Sequence, residues 1–138
     1  MKRHHVPALA GLLSLAALPA PALQELRASG LRLGVSTHGY AEMLRADAVG
    51  PSYLALGAVF PTTLKRMATA PQGVARLAAY ARLMQASYPL VAIGGIALEQ
   101  FGPVRATGVG SIAVVRALVA ASDPEAAAAQ LLRAMASA

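Results

Sequence analysis

Apolar and polar positions alternate along the chain in short blocks that predict strands and helices in turn. Continuous apolar runs bounded by turn residues predict strands at residues 31–36, 53–59, 90–93 and 111–115. Helical spacing or helix-forming composition predicts helices at residues 22–28, 40–46, 72–86 and 98–105. A last helix is expected from Asp123, as the capping residue before Pro124, to about Met135.

This order of elements predicts the fold class, which is α/β. Strands that are apolar throughout and separated by helices indicate a parallel sheet, either open or closed into a barrel. About four such units in 138 residues match half of a barrel of about 250 residues. We therefore expect a partial TIM (β/α)₈ barrel with parallel strands. A doubly wound open sheet is the alternative, because it uses the same units.

The segment before this pattern, residues 1–21, is atypical. A basic start precedes an apolar stretch at residues 6–18, and Ala20-Pro21-Ala22 resembles a cleavage site. The stretch is too short and too interrupted by proline to span a membrane. Two interpretations stay open: a signal-like segment, or a truncated start followed by an ordinary barrel helix at residues 14–29. Residues 22–138 are expected to form the barrel-like domain.

Composition and charge narrow the expected partners. The net charge is +6, but the twelve Lys and Arg residues are scattered and aromatic residues are only 4% of the chain. Nucleic-acid surfaces need clustered cations with stacking rings, so we expect no nucleic acid partner, and no membrane partner either. Single cations suit small anionic ligands better. The absence of cysteine excludes disulfides and thiolate chemistry, and agrees with a cytoplasmic location.

The loops after the first two predicted strands carry hydroxyl groups and cations. Sites in parallel α/β folds lie at the carboxyl ends of the strands, so these loops are candidate site loops. The first holds Ser36, Thr37 and His38, and the second holds Thr62, Thr63, Lys65 and Arg66. Hydroxyls beside cations can clamp an anion. Capping of the next helix, or a solvated loop, explains the same residues.

The loops after the last two predicted strands have features of a phosphate site. Gly94-Gly95 lets backbone approach a ligand closely, and Val115-Arg116 can open a short helix. Barrels often bind phosphate with the loops after their last two strands.

The carboxylates do not form an obvious site. Asp123 is interpreted as a helix cap, and only Glu99 lies near a site loop. The other four lie on or beside predicted helices: Glu25, Glu42, Asp47 and Glu125. We therefore predict neither a magnesium site nor an acid–base pair of carboxylates.

Several motifs occur in a fixed order in these strands and loops. They are residues 33–38 (LGVSTH), 53–61 (YLALGAVFP) with Thr62 and Lys65, 70–73 (APQG), 91–96 (VAIGGI) and 106–115 (ATGVGSIAVV). In order and spacing they resemble the thiamine-phosphate synthase family, which includes a thiazole tautomerase of the same fold. The resemblance covers about residues 22–138 and implies the C-terminal half of that family's barrel, strands five to eight.

The resemblance implies a transferase of thiamine biosynthesis, which joins hydroxymethylpyrimidine, supplied as its diphosphate, to a thiazole phosphate. Ser36 and Lys65 stand where the family holds the leaving diphosphate, so they are the implied catalytic residues. The implied substrate-binding residues, which hold the thiazole phosphate largely through backbone N–H groups, are Thr62, Gly95, Val115 and Arg116.

This chain departs from the family pattern at two site positions and at its start. Leu64 replaces a second threonine, and Arg116 replaces a serine found in many members. Mg²⁺ is the cofactor that the family implies, but its aspartate ligands lie in strands that have no match before residue 22. We therefore expect this chain to lack the aspartate ligands of Mg²⁺.

Two other functions remain open at this point. One is a non-catalytic, phosphate-binding half-barrel, and the other is a thiazole tautomerase-like protein with His38 as proton shuttle. A half-barrel would leave the strands at residues 31–36 and 111–115 with unpaired edges, so self-association is expected.

Overall fold

The computed structural model describes residues 9–14, 20–64, 66 and 68–136. Within them lie the strands β1 (Leu9–Ser14), β2 (Arg32–Thr37), β3 (Tyr53–Leu56), β4 (Leu90–Ile93) and β5 (Ser111–Ala113). The α-helices are α1 (Ala20–Ala28), α2 (Tyr40–Val49), α3 (Gly73–Met84), α4 (Phe101–Arg105), α5 (Arg116–Val119) and α6 (Pro124–Ala136), with a 3₁₀ turn at Leu98–Gln100. None of the helices in these ranges is long and apolar enough to cross a membrane.

The strands form one parallel sheet in the order β1-β2-β3-β4-β5. Val35 of β2 is in register with Leu54 of β3, and Leu54 with Leu90 of β4. The predicted α/β class with parallel strands is confirmed. Because all strands run in the same direction, their carboxyl ends lie along one edge of the sheet.

The sheet has one strand more than the sequence predicts. Leu9–Ser14 pairs in parallel with Arg32–Thr37, in the segment interpreted as signal-like or as a truncated start. The prediction that residues 31–36 form an unpaired edge is therefore wrong, because β2 has a neighbour on each side. Leucine, alanine and glycine dominate β1, and without β-branched residues its composition does not favour a strand.

Two strands end earlier than expected because the chain turns into the site loops. After Leu56, the Gly57 N–H donates to the Thr37 carbonyl oxygen at 3.1 Å, and the Val59 N–H donates to the Ile93 carbonyl oxygen at 3.0 Å. Residues 57–59 therefore stay buried beside β2 and β4 but leave the regular ladder. At β5 the chain turns at Val115 into α5.

The core lies between the sheet and the connecting helices. Met43 of α2, Leu54 of β3, Leu77 of α3 and Val104 of α4 are each at most 1% exposed, and Leu131 of α6 joins the same cluster. Burial of these side chains holds the helices against the sheet and so fixes the positions of the loops at its carboxyl edge.

Candidate functional site

A cavity of about 470 Å³ opens at the carboxyl ends of β2, β3, β4 and β5. Each of these strands contributes residues to its lining: Ser36 and His38, Pro61 and Thr62, Gly94 and Gly95, and Val115 and Arg116. The position agrees with the expectation that the strand-end loops carry the site.

The predicted site residues come together here as far as the structure describes them. Ser36, Thr62, Gly95, Val115 and Arg116 all line the cavity, although they lie on different loops. Lys65 lies outside the described residues. The roles of these side chains remain predictions that the positions support.

Gly95 occupies a conformation that the neighbouring loop makes necessary. Its φ is 69°, and an added Cβ would collide with the carbonyl oxygens of Phe60, at 2.7 Å, and Pro61. Gly94 has φ 99°, and its carbonyl oxygen accepts a hydrogen bond of 3.0 Å from the Phe60 N–H. The two glycines therefore let the loop after β4 pack directly on the loop after β3, beside the cavity.

Arg116 joins two loops at the cavity. Its Nη1 donates a hydrogen bond of 2.8 Å to Oγ1 of Thr63, while both side chains stay exposed. Thr62 Oγ1, the neighbouring hydroxyl, accepts from the Leu64 N–H at 3.3 Å. The sequence placed Thr63 in the site loop but did not indicate it as the partner of Arg116.

His38 is paired with a carboxylate that the sequence alone did not indicate as part of the site. Glu42 Oε2 lies 2.8 Å from Nδ1 of His38 and accepts a 2.9 Å hydrogen bond from the His38 backbone N–H. The expectation that only Glu99 lies near a site loop is therefore wrong. The spacing of four residues between His38 and Glu42, at a helix start, is the signal that could have found this pair.

The pKa of Glu42 is lowered by these contacts. Burial raises the pKa of this carboxyl, but the hydrogen bonds from the His38 ring and backbone N–H, together with the charges of His38 and Arg45, outweigh burial and lower it. Glu42 is therefore an ionised acceptor at neutral pH.

The backbone of His38 is held from a second side. Gln72 Nε2 donates to the His38 carbonyl oxygen at 2.9 Å, and Gln72 Oε1 accepts from the Tyr80 hydroxyl at 3.0 Å. Gln72 and Tyr80 are both buried, so this contact links the site loop to the core. Gln72 belongs to the sequence motif at residues 70–73, whose part in the structure is thus to anchor His38.

The described residues do not fit Mg²⁺. Among the described residues, those that line the cavity offer hydroxyls, backbone groups, His38 and the cation Arg116, but no carboxylate. Within the described ranges, no group of three or more His, Asp or Glu side chains could hold a metal ion. Mg²⁺ is usually bound through carboxylates, so this lining does not match the ligands that the ion prefers.

Comparison with known proteins gives a consistent result. A family model described as thiamine monophosphate synthase matches residues 10–118. The thiamine-phosphate synthase of Salmonella schwarzengrund (strain CVM19633) is 58% identical over 110 residues, which are 80% of this chain and 52% of that protein. The corresponding protein of Salmonella agona (strain SL483) is 56% identical over the same length, with the same coverage. The chain therefore spans about half the length of the curated relatives it matches.

Solved structures agree at the level of the fold. A thiamine phosphate pyrophosphorylase from Pyrococcus furiosus superposes with a TM-score of 0.77 and 31% identity, covering 91% of this chain and 58% of its own. A 3-hexulose-6-phosphate synthase, with a TM-score of 0.66 and 21% identity over 90% of this chain and 60% of its own, shares the fold alone. The expected fold class, a partial TIM (β/α)₈ barrel, is confirmed. The match over most of the chain and the loop geometry lead to one conclusion: the chain belongs to the thiamine monophosphate synthase family.

Proposed function

We propose that the cavity binds a small phosphorylated ligand, with its phosphate at the loops of Gly95 and Val115-Arg116. The observation that carries this proposal is the charge of the lining. Among the described residues that line the cavity, Arg116 supplies a full positive charge and no carboxylate opposes it. Phosphate oxygens accept hydrogen bonds from guanidinium groups and from backbone N–H groups.

For a protein that includes the rest of the barrel, we propose the family's reaction, the synthesis of thiamine phosphate. The carbon–oxygen bond of hydroxymethylpyrimidine diphosphate breaks, and its electron pair leaves with the diphosphate. The thiazole nitrogen then donates its lone pair to the pyrimidine methylene carbon and forms the new carbon–nitrogen bond. The Ser36 hydroxyl and Lys65 would stabilise the leaving diphosphate, while Thr62 and Arg116 hold the thiazole phosphate. No general base is required in these steps.

The chain as given is proposed to bind ligand rather than turn it over. It covers 52% of the length of a 58% identical relative, and its described residues offer no fit to the Mg²⁺ that the family implies. A non-catalytic phosphate-binding half-barrel is thus the alternative function that these observations favour. A cytoplasmic location and self-association through the outer strands of the sheet belong to the same proposal.

A thiazole tautomerase is a second candidate, and the pairing of His38 with Glu42 beside the cavity favours it. A histidine held by a carboxylate can move a proton to or from a bound ligand. The test supplies a non-aromatic tautomer of a thiazole phosphate in D₂O and follows its conversion to the aromatic ring, with uptake of solvent deuterium, by NMR. Conversion that is lost in His38→Asn supports tautomerase chemistry, and the same conversion in the variant contradicts it.

The phosphate site is tested by Gly95→Val with Gly102→Val as the matched control. A side chain at Gly95 forces a strained φ and collides with the loop after β3, whereas a Cβ at Gly102 meets nothing within 4 Å. Calorimetric titration with thiazole phosphate should show binding weakened about tenfold or more by Gly95→Val, which corresponds to about 1.4 kcal/mol. Gly102→Val should bind as the parent does. Equal affinities for the parent and Gly95→Val would place the phosphate elsewhere.

A further inference from the structure

We propose that Glu42 is a positioning residue that holds the neutral His38 ring in the tautomer with its proton on Nδ1. Nε2 is then left as a hydrogen-bond acceptor for the ligand in the cavity. This inference deepens the proposed ligand site and rests on it for its functional meaning. It can nevertheless be tested without any ligand.

The contact between the two residues determines which ring nitrogen carries the proton. Glu42 Oε2 lies 2.8 Å from Nδ1 and 2.9 Å from the backbone nitrogen of His38. An ionised carboxylate can only accept hydrogen bonds, so Nδ1 must be the donor. In a neutral imidazole the other nitrogen, Nε2, is then without a proton.

The backbone segment that carries the ring is held on both sides by hydrogen bonds. The His38 carbonyl oxygen accepts from Gln72, which is held in turn by the buried Tyr80 hydroxyl. The Tyr80 ring packs edge-on against Tyr40, with 4.8 Å between ring centroids. His38 lines the cavity together with Ser36, and Nε2 makes no hydrogen bond to any residue that the structure describes.

The cavity lining therefore offers both hydrogen-bond donors and an acceptor. Arg116 carries donors at the start of α5, whereas His38 Nε2 is an acceptor on the loop after β2. A phosphate that lacks protons suits the donors and not Nε2, because two acceptors repel each other. Nε2 is therefore available to an N–H or O–H group of a bound ligand and not to its phosphate.

A simpler role for Glu42 is capping of α2, since it is the third residue of that helix and accepts a backbone N–H. The same oxygen, Oε2, accepts from the backbone N–H and from Nδ1, so a glutamine that kept the cap would also keep the ring contact. The variant Glu42→Ala removes both contacts. Loss of a cap alone leaves the His38 tautomer unchanged, whereas loss of a positioning carboxylate releases it.

The experiment is long-range ¹H–¹⁵N NMR of the uniformly labelled full chain without ligand, at about pH 8. His38→Asn assigns the His38 signals against those of His4 and His5. In the parent, Nδ1 should resonate as a protonated nitrogen and Nε2 as an unprotonated one. In Glu42→Ala both nitrogens should shift toward intermediate values, while Glu125→Ala, on the distant helix α6, should leave them unchanged.

Two outcomes of this experiment would contradict the proposal. A parent with the proton on Nε2 overturns the proposal, and so does Glu42→Ala with unchanged His38 shifts. If Glu42→Ala does not fold, Glu42→Asp serves instead, because its carboxylate is one methylene too short to keep both contacts. Since no ligand is present, failure here leaves the proposed phosphate site untouched, and failure of phosphate binding leaves the tautomer result untouched.

Discussion

Arg116 and Thr63 are 53 positions apart in the chain, and their side chains meet at 2.8 Å. This hydrogen bond ties the loop after β5 to the loop after β3 and holds the guanidinium beside the cavity. At the scale of single residues, such a pair depends on side-chain direction. Sequence spacing predicted that both loops reach the site, but it could not predict which hydroxyl Arg116 meets.

Arg116→Ser should weaken binding of thiazole phosphate by about 1 kcal/mol, or roughly fivefold, because it removes an exposed cation. The backbone N–H groups remain, so binding should not be lost. Calorimetry at low and high salt is the measurement, and the difference between parent and variant should shrink as salt screens the charge. Arg76→Ser, at an exposed position of α3, is the control. An Arg116→Ser variant that binds like the parent would contradict a role for the guanidinium.

The lowered pKa of Glu42 predicts a pH dependence of stability. A carboxyl whose pKa is lower in the folded state stabilises the fold above its unfolded pKa, which is about 4.3. That contribution is lost as the pH falls through the lower pKa of the folded state. Urea unfolding from neutral pH to about pH 3 should therefore show the parent losing more stability than Glu42→Gln. Parallel losses in both proteins would show that the pair with His38 does not stabilise the fold.

The local sequence predicted the start of α6 correctly but did not predict strand β1. The start of α6 was predicted from Asp123 and Pro124, and the Ala126 N–H indeed donates to Asp123 Oδ1 at 2.9 Å. Such a cap is local, so the sequence contains all of it. Strand β1 was missed, because its pairing with β2 is a contact between distant segments and its composition gave no local signal.

Removal of the cap at α6 provides a test at the scale of the element. Asp123→Ala should lower the free energy of unfolding by about 1 kcal/mol, since one N–H at the helix start loses its acceptor. Thermal or urea denaturation measures the change. Ser122→Ala, one position earlier and exposed, should have almost no effect. If the two variants have equal stability, the Asp123 side chain does not cap the helix in solution.

For the whole molecule, the outer strands of the described sheet predict self-association. β1 and β5 each pair on one side only within the described residues. Unpaired strand edges present rows of N–H and C=O groups that another chain can satisfy. Size-exclusion chromatography with light scattering should show species larger than the 14.0 kDa chain. A monodisperse monomer with a cooperative thermal transition would contradict this expectation.

The 138-residue chain alone should form little or no thiamine phosphate with Mg²⁺, because its described residues offer the metal no carboxylate cluster. A product-formation assay on the purified chain is the measurement. Calorimetric binding of thiazole phosphate to the same sample shows that the protein is folded. Robust turnover would mean that side chains other than carboxylates suffice to neutralise the diphosphate.

The sequence by itself determined the α/β class, the parallel strands, the family and the loops that meet at the cavity. These depend on apolar periodicity, on local turn and cap signals and on motifs whose order is visible in one dimension. Only the tertiary structure showed that residues 9–14 extend the sheet, that Gly95 packs on the carbonyl oxygens of Phe60 and Pro61, and that Arg116 meets Thr63. It also brought Glu42 to His38. The reason is physical, since strand pairing, close backbone contacts and hydrogen bonds between side chains arise only when packing of the core fixes the distance and direction between segments.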